Sequence, residues 1–544
     1  MIAPRLFLCS GAKLADGDPL GNGKTLVQLD SIGPRANVNI RLENVARILN
    51  KHIPPRIVDV LEIASYIFTG DCATSRGRQW TDNEATESWD RDLSFVVPVR
   101  DVTFWQRSDV RDLLREILEF LSNDKYAFAF VPLKQDRTLQ SYLQFGSLED
   151  WPFYGVDRVV MFSGGLDSLA GAVQMARNGY KSVLVSHRPV TTLDSRQRRL
   201  FSELDRMFPG QMIHVPVWIN KEKNFGREST QRTRSFLYST LGTVVAESIK
   251  SEGVRFFENG VVSLNLPVAD EVLRARASRT THPRALRLFE NFFALVTGRR
   301  LRIDNPFLFK TKAEIVESIV QGGAGDLIRH TCSCAHLMFK SKSQWHCGTC
   351  SQCTDRRFAV TSAGCTKYDP ETDYASDVFT GPRKEGYERN MAIDYVRHAI
   401  ELDRMSEEEI ASKFNLELSR AVRFEERPSN TAQHLIGMHK RHGENVARVL
   451  QDELGRHSGK LFSSGLDPTS LLSMAIGGRH LEPSWKSFCD RIVGVLSRGV
   501  PIACQSNKPT NEPRFQEICD GLLKSNDIEL VREYPFMRWS SSLT

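Results

Sequence analysis

The chain has 544 residues, 41% of them hydrophobic and 25% charged, with a formal net charge of +6. That length predicts roughly two to four domains with sizeable cores, and the ordinary composition excludes disordered, collagen-like and disulfide-scaffold classes. No apolar run approaches membrane-spanning length, the run Met1–Cys9 is too short for a signal peptide, and the mild positive charge suits anionic ligands without demanding nucleic acid, so a cytoplasmic protein with no membrane partner is expected.

Residues 1–150 read as an α+β extension. Gly21-Asn22-Gly23-Lys24-Thr25 looks like the end of a Walker A loop, but the required upstream glycine is Asp18, so a polar turn is expected. Val45 to Gly70 has helical periodicity with a break at Pro54-Pro55. Asp71, Cys72 and Arg76 follow it and read as a capped, solvated corner. Leu93–Val99 reads as a strand, Val110–Leu121 as a helix and Tyr126–Pro132 as a second strand. No catalytic constellation stands out, and a partner-binding or buttressing role is expected.

From about residue 155 strands and helices alternate. Strands are predicted at 158–162, 182–186, 212–217, 254–258 and 301–303, most followed by helical segments. This pattern predicts an α/β, doubly wound, mainly parallel sheet. Ligands of such sheets bind beyond the carboxyl ends of the strands. The most informative string lies at the first of those ends: Ser163-Gly164-Gly165-Leu166-Asp167-Ser168. A strand emptying through two glycines into a helix start makes a phosphate cradle, because the backbone can approach closely and the first helical N–H groups favour an anion. Ser163 and Ser168 add hydroxyls. The string has no Lys-Ser/Thr pair after the glycines, so it is no Walker loop. It resembles the SGGxDS signature of the PP-loop ATP pyrophosphatases, which cleave ATP between the α and β phosphates. Ser186-His187 and Glu258-Asn259-Gly260 are expected to converge on the same crevice.

Between Arg274 and Arg302 the chain is unusually basic, with Arg274, Arg276, Arg279, Arg284, Arg287, Arg299, Arg300 and Arg302. This run reads either as a clamp over ATP, a substrate carboxylate or an acidic partner, or as a solvated helical face. RNA stays open as a partner, without the interleaved aromatic positions that stacking requires.

Eleven cysteines are present, five of them between Cys332 and Cys353. The others (Cys9, Cys72, Cys365, Cys489, Cys504, Cys519) read as small buried hydrophobes. Cys347, Cys350 and Cys353 follow one another at three-residue spacing; an upstream thiol, Cys334 or alternatively Cys332, would complete a tetrahedral structural zinc site. His330, His336 and His346 are less suitable substitutes. A redox pair and an iron–sulfur cluster are the competing readings. Residues 366–544 read as mostly helical, with a capping box at Ser406–Glu409 and breaks at Pro428–Asn430 and Glu482–Ser484; His434, His439 and His442 are expected at the surface.

Four blocks together resemble QueC, the 7-cyano-7-deazaguanine synthase family: Ser163–Ser168; Arg232-Thr-Arg-Ser-Phe236 leading into a helix; Asn305 to Val316 with Thr311-Lys312-Ala313-Glu314; and Thr331-Cys-Ser-Cys334 followed by Cys347, Cys350, Cys353 and Arg356. The likeness covers roughly 155–365, so the expected organisation is 1–150 extension, 151–365 PP-loop unit with zinc knuckle, and 366–544 helical extension. The family register, with a threonine three residues before the first zinc cysteine, selects Cys334. Two departures bear on the product more than on the ATP chemistry: Phe257–Pro267 stands where the family has its substrate loop, and the Cys334–Cys347 gap is longer than usual. The long extensions resemble the QatC-type members of bacterial antiviral operons.

The resemblance implies ATP, Mg²⁺ and Zn²⁺ as cofactors and a deazapurine acid, 7-carboxy-7-deazaguanine-like, as substrate. The implied reaction is adenylation of its carboxylate and transfer to an amine, with a protein of the same operon as expected acceptor. Ser163, Gly164, Gly165, Leu166, Asp167, Ser168, Ser186 and His187 would hold ATP. Asp167 would orient the loop or help bind magnesium. Lys312 or Arg234 would neutralise charge on the bridging oxygen, and Asn259, Gly260 and Arg232 would meet the acid. Ordinary nitrile synthesis with ammonia, RNA thiolation and a non-catalytic ATP-binding scaffold are the alternatives.

Overall fold

The computed structural model describes residues 3–477 except 15–16, 32–35, 41–52, 77–89, 135–152, 188–190, 229, 268–278, 336–343, 424, 426 and 464. Arg274, Arg276, His336, Cys489, Cys504, Cys519, the break at 482–484 and the start of the first expected helix lie outside the described residues.

The amino-terminal strands are β1 (Arg5–Cys9), β2 (Thr25–Leu29), β3 (Val38–Ile40), β4 (Asp92–Val99) and β5 (Lys125–Pro132), with helices α1 (Pro55–Ala73) and α2 (Ser108–Ser122) between them. Four of these strands form one sheet in the order β2-β1-β4-β5, and every pairing in it is parallel. The α+β expectation therefore gives way to a parallel α/β layer. Its first two strands are short, and β2 is largely exposed, so neither has a run of alternation long enough to register as a strand signal. Helix α1 starts at Pro55, where proline suits the first turn. It is buried on nearly every side, as a helix packed between two layers must be.

The second sheet contains β6 (Arg158–Met161), β7 (Ser182–His187), β8 (Met212–Val217), β10 (Gly253–Arg255) and β11 (Arg302–Asp304), each within a few residues of its predicted position. The short β9 (Ile219–Lys221) pairs antiparallel with β3 and so ties the two layers together. The five strands run in the order β11-β10-β6-β7-β8, all parallel. Chain order runs outward from β6 through β7 to β8, then returns to β10 on the other side of β6. The topological switch point therefore lies between β6 and β10, where open α/β sheets bind ligands.

Helices cover both faces of this sheet. One face packs α3 (Leu166–Arg177), α4 (Thr191–Met207) and α8 (Lys312–Gln321). The other packs α5 (Arg234–Ile249) and α7 (Pro283–Thr297), and its core is continuous with that of the amino-terminal sheet. After β10 comes a short helix, α6 (Gly260–Leu264), and after the cysteine segment α9 (Ser351–Ser362). A carboxy-terminal layer follows: α10 (Tyr387–Arg404), α11 (Glu407–Lys413), α12 (Asn415–Val422) and α13 (Pro428–Arg456). Ser406 and Glu409 form the expected capping box. Pro428 begins α13 instead of breaking a helix, because a proline at the first turn forfeits no hydrogen bond. His439 and His442 are buried, and only His434 is exposed. Both buried residues lie on the apolar stripe of α13, which packs heavily against α10.

Asp71, Cys72 and Arg76 are fully buried, not a solvated corner. Asp71 accepts hydrogen bonds from the Thr233 N–H and hydroxyl (2.9 and 3.0 Å) and pairs with Arg91 at 2.6 Å. Asp124 receives both Arg76 and Arg91 at 2.6 Å. This ionic cluster joins the two layers, since Thr233 and Glu228, which accepts the Arg76 N–H at 2.9 Å, belong to the segment before α5. No helix among the described residues is long and apolar enough to cross a membrane.

Candidate active site

The cradle begins where β6 ends. Gly164 has φ +85°, a conformation that favours glycine, and Gly165 caps α3 with no side-chain hydrogen bond to its first turn. The first-turn N–H groups thus carry no side-chain cap. The loop is locked from within. The Ser168 hydroxyl accepts from the Gly164 N–H at 3.2 Å and donates to the Gly165 carbonyl at 3.0 Å. Ser163 is exposed at the mouth. Leu166 contributes only its backbone, because its side chain is buried in the core.

Asp167, one residue into α3, points towards the loop after β10. Its Oδ2 accepts from the Asn259 backbone N–H at 3.0 Å and from Asn259 Nδ2 at 2.8 Å. Asn259 in turn caps α6, accepting from the Val262 N–H at 3.1 Å. Lys312 Nζ lies 4.0 Å from Asp167 Oδ1 and 2.7 Å from Asp355 Oδ2. Lys312 opens α8 directly after Thr311, whose side chain and that of Glu314 form a capping box. Burial works against the ammonium charge, yet Asp167 and Asp355 outweigh it and hold Lys312 protonated. Asp167, Asn259 and Lys312 are thus brought together at the switch point.

The other expected ligand contacts go elsewhere. The Ser186 hydroxyl donates to the Phe162 carbonyl at 2.6 Å and meets His214 Nε2 at 2.9 Å, so it pins the cradle strand and is buried. His187 projects to the opposite face of β7, as strand alternation requires. Its Nε2 bonds with the Ile219 carbonyl at 2.9 Å, and its ring packs edge-on against Phe68 and Tyr238. Burial first, and then the charge of Arg234, push its pKa down to about 3. Arg234 lies against Tyr238, with its guanidinium 5.0 Å from the ring centre. Arg232 lies among the charges of Arg76, Asp71, Glu228 and Asp124 at the layer junction. Gly260 is a packing residue: a Cβ there would stand 1.9 Å from the Leu308 carbonyl oxygen and 2.7 Å from Met438.

Four groups at the site carry no motif signal. Gln197 donates to the Ser163 carbonyl at 3.0 Å from α4. Asp355 comes from α9 and accepts from the Tyr395 hydroxyl of α10 at 3.2 Å. His442 and Tyr395 line, with Lys312 and Asp355, a cavity of about 10 Å³, room for about one water. The basic run is largely spent on internal partners: Arg279 on the Phe120 carbonyl, Arg284 on Glu116, Arg287 on Glu290, Arg299 on Glu247 and Arg302 on Asp304.

The thiols of Cys334, Cys347, Cys350 and Cys353 are buried and lie within 4.8 Å of one another. The Cys347 and Cys353 sulfurs are 3.8 Å apart, and a tetrahedron with Zn–S bonds of ~2.3 Å requires about that separation. The Cys350 N–H points to Cys347 Sγ at 3.4 Å, as it would to a thiolate. The donor set fits a closed structural zinc site. Cys332 is outside it. Its N–H bonds to the Gly164 carbonyl at 2.9 Å, so the knuckle segment is stitched to the cradle. Arg356 is fully buried and organises this segment. It donates to Thr331 Oγ1 at 2.6 Å, to the Ile328 carbonyl at 2.9 Å and to Asp369 at 2.8–2.9 Å.

Comparison with known proteins agrees with this part of the site. No curated protein gives a significant match to the chain. Residues 281–364 match the family model described as queuosine biosynthesis protein QueC. The matched stretch contains Lys312, Asp355 and all four clustered cysteines, while the cradle at 163–168 lies outside it. The match supports a QueC-like affiliation with an ATP-dependent, ligase-type enzyme family.

Proposed function

We propose that the protein activates a 7-deazapurine carboxylate with ATP and transfers the acyl group to an amine. The observation that carries this reading is the meeting of the Gly164-Gly165 turn with the Asp167–Lys312 pair at the switch point, joined to the QueC match over 281–364.

A carboxylate is a poor electrophile until one oxygen is made a leaving group. In the first step that oxygen attacks the α-phosphorus of ATP, the bond to the bridging oxygen breaks, and pyrophosphate departs with the electron pair. The first-turn N–H groups of α3 and the Ser163 hydroxyl bind the departing phosphates. Lys312, kept charged by its two carboxylates, stabilises negative charge developing on the phosphates. Asn259 fixes Asp167, which orients the loop. Magnesium, expected for such displacements, would offset phosphate charge when bound, and Asp167 would help hold it. In the second step an amine attacks the acyl carbon and AMP leaves.

The four cysteines hold zinc and take no part in the chemistry, since a closed tetrahedral site has no open position. The amine is read as belonging to a partner protein, in a cytoplasmic antiviral system. The amino-terminal sheet and the carboxy-terminal helices support this reading, because a synthase acting on ammonia does not need them. Pyrophosphate release on mixing with ATP and 7-carboxy-7-deazaguanine tests the first step. Intact-mass analysis of operon partner proteins tests the second: an acyl mass gain is expected, and nitrile or primary amide as the only product would overturn the conjugation reading.

A further inference from the structure

The segment that grips Asp167 also carries a carboxylate that the adenylation step does not use. Glu258 stands between the end of β10 and Asn259, on the β10 side of the switch point. Its backbone is clamped by one side chain: Asn305 accepts from the Glu258 N–H at 3.1 Å and donates to its carbonyl at 2.8 Å. Its Oε2 accepts from the Thr281 hydroxyl. Thr281 bonds with Ser263 Oγ at 2.8 Å, and Ser263 with Asn305 Nδ2 at 2.9 Å. Thr281 and Ser263 are buried, so the carboxylate is held by a chain of packed residues. Among the described residues, Oε1 has no hydrogen-bond partner, and Glu258 is partly exposed.

This is an unusual use of a carboxylate. An acid placed only for structure would be paired with the nearest cation, and Lys312 instead spends its closest contact on Asp355. Burial, and then the charge of Asp167, push the Glu258 pKa up to about 7, against the opposing effects of Thr281 and Lys312. A group of that pKa both accepts and releases protons near neutrality.

We propose that Glu258 is the general base of the acyl-transfer step, with Thr281 fixing one carboxylate oxygen and Oε1 facing the incoming amine. The inference rests on the acyl-adenylate reading and adds a residue and a role to it. The amine lone pair forms the bond to the acyl carbon, a proton on that nitrogen passes to Glu258 Oε1, and the carbon–oxygen bond to AMP breaks with its electron pair going to the phosphate. Amide, AMP and a protonated Glu258 result, and Glu258 returns its proton to water.

The test separates the two half-reactions in the full-length protein. Acid-dependent exchange of pyrophosphate into ATP reports adenylation and needs no amine. Amide formation from 7-carboxy-7-deazaguanine with ammonium chloride, followed by mass spectrometry, reports transfer. Glu258→Gln is expected to keep exchange within about threefold and to lose transfer by about 10²–10³-fold, the usual worth of a general base. Transfer within about threefold of the parent protein, or parallel loss of both half-reactions in folded protein, overturns the proposal. If the glutamine variant does not fold, Glu258→Asp retains the charge and withdraws it by one methylene. Transfer is then expected to fall while exchange persists, and unchanged transfer is the contrary result. Parent protein without exchange overturns the adenylation reading itself and this inference with it.

Discussion

Lys312 Nζ sits 2.7 Å from Asp355 and 4.0 Å from Asp167, so the closer carboxylate is the one farther from the phosphate cradle. Three elements meet at this ammonium: α8 supplies it, α3 supplies Asp167, and α9 supplies Asp355, which is itself tied to α10 through Tyr395. The charge at the site is therefore set partly by a helix packed between the sheet unit and the carboxy-terminal layer.

Truncating Lys312 removes both a charge and the partner of two carboxylates. Lys312→Met is expected to abolish pyrophosphate release and to destabilise the fold by about 3–5 kcal/mol, the cost of leaving buried charge unpaired. The double variant Lys312→Met/Asp355→Asn relieves that charge and is expected to regain most of the stability without regaining activity. Thermal melting and pyrophosphate release on the same samples check both halves. Recovery of release in the double variant would remove Lys312 from the chemistry.

Ser163 and Ser168 differ in what their hydroxyls do. Ser168 is buried and bonded to the turn's backbone on two sides, whereas Ser163 is exposed and joins the turn through a 3.2 Å bond to Ser168 Oγ and a 3.4 Å bond from the Gly165 N–H. Ser168→Ala is expected to cost about 1 kcal/mol of stability, one buried hydrogen-bonding hydroxyl, and to raise the KM for ATP. Ser163→Ala is expected to leave the melting temperature unchanged and to lower pyrophosphate release. Asp167→Ala is expected to lose release altogether. Full activity in both Asp167→Ala and Ser163→Ala would contradict the cradle assignment.

The pattern of legibility follows from where the signals come from. The cradle string, the β/α alternation from 158 onward and the cysteine spacing are local in sequence, and the structure carries all three at those positions. What local pattern does not encode is the direction a side chain takes. Ser186 and His187 end the same strand but leave it on opposite faces, one towards Phe162 and His214, the other towards Phe68 and Tyr238. Gly260 reads as a ligand contact until the Leu308 carbonyl is seen against it. Asp355 and Gln197 carry no motif, and only the packing of α9 and α4 against α8 and the cradle brings them in. The parallel order of the amino-terminal sheet escapes for another reason: its two eight-residue strands, β4 and β5, are legible, but β1 and β2 have only five residues each, and strand direction is set by pairing that local pattern does not encode.

The cysteines divide by position. Cys350 is within the four-thiol cluster, so Cys350→Ser is expected to yield unstable or insoluble protein with substoichiometric zinc, because structural zinc supplies on the order of 10 kcal/mol to local folding. Cys332 hydrogen-bonds to the cradle through its backbone and receives Arg196 Nη1 at 2.8 Å on its sulfur. Cys332→Ser is therefore expected to keep full zinc. Metal analysis of the two proteins checks the division, and iron with visible colour in place of zinc would favour a cluster.

Acid is expected to unfold the protein earlier than its carboxylates alone would cause. Burial holds His187, His346 and His398 down to about 3 and His439 to about 4, against an ordinary value of 6.5. A depressed folded pKa means that the unfolded chain takes up the proton first, so each histidine's contribution is complete above about pH 6.5 and is lost as the pH falls through that window. Glu258 runs the other way: its raised pKa favours the folded state below about pH 4.5 and loses that advantage as the pH rises to about 7. With His282, His330 and His442 also held down by burial, the depressed histidines act against Glu258 and the raised carboxyls of Asp304, Asp403, Glu407, Glu417 and Glu453. Because the histidines begin to take up protons in the unfolded chain near pH 6.5, the melting temperature is expected to drop between about pH 6.5 and 4.5, and to drop more steeply in Glu258→Gln, where one opposing group is gone. A pH-independent melting temperature over that range would mean that these histidines are hydrated or paired in solution.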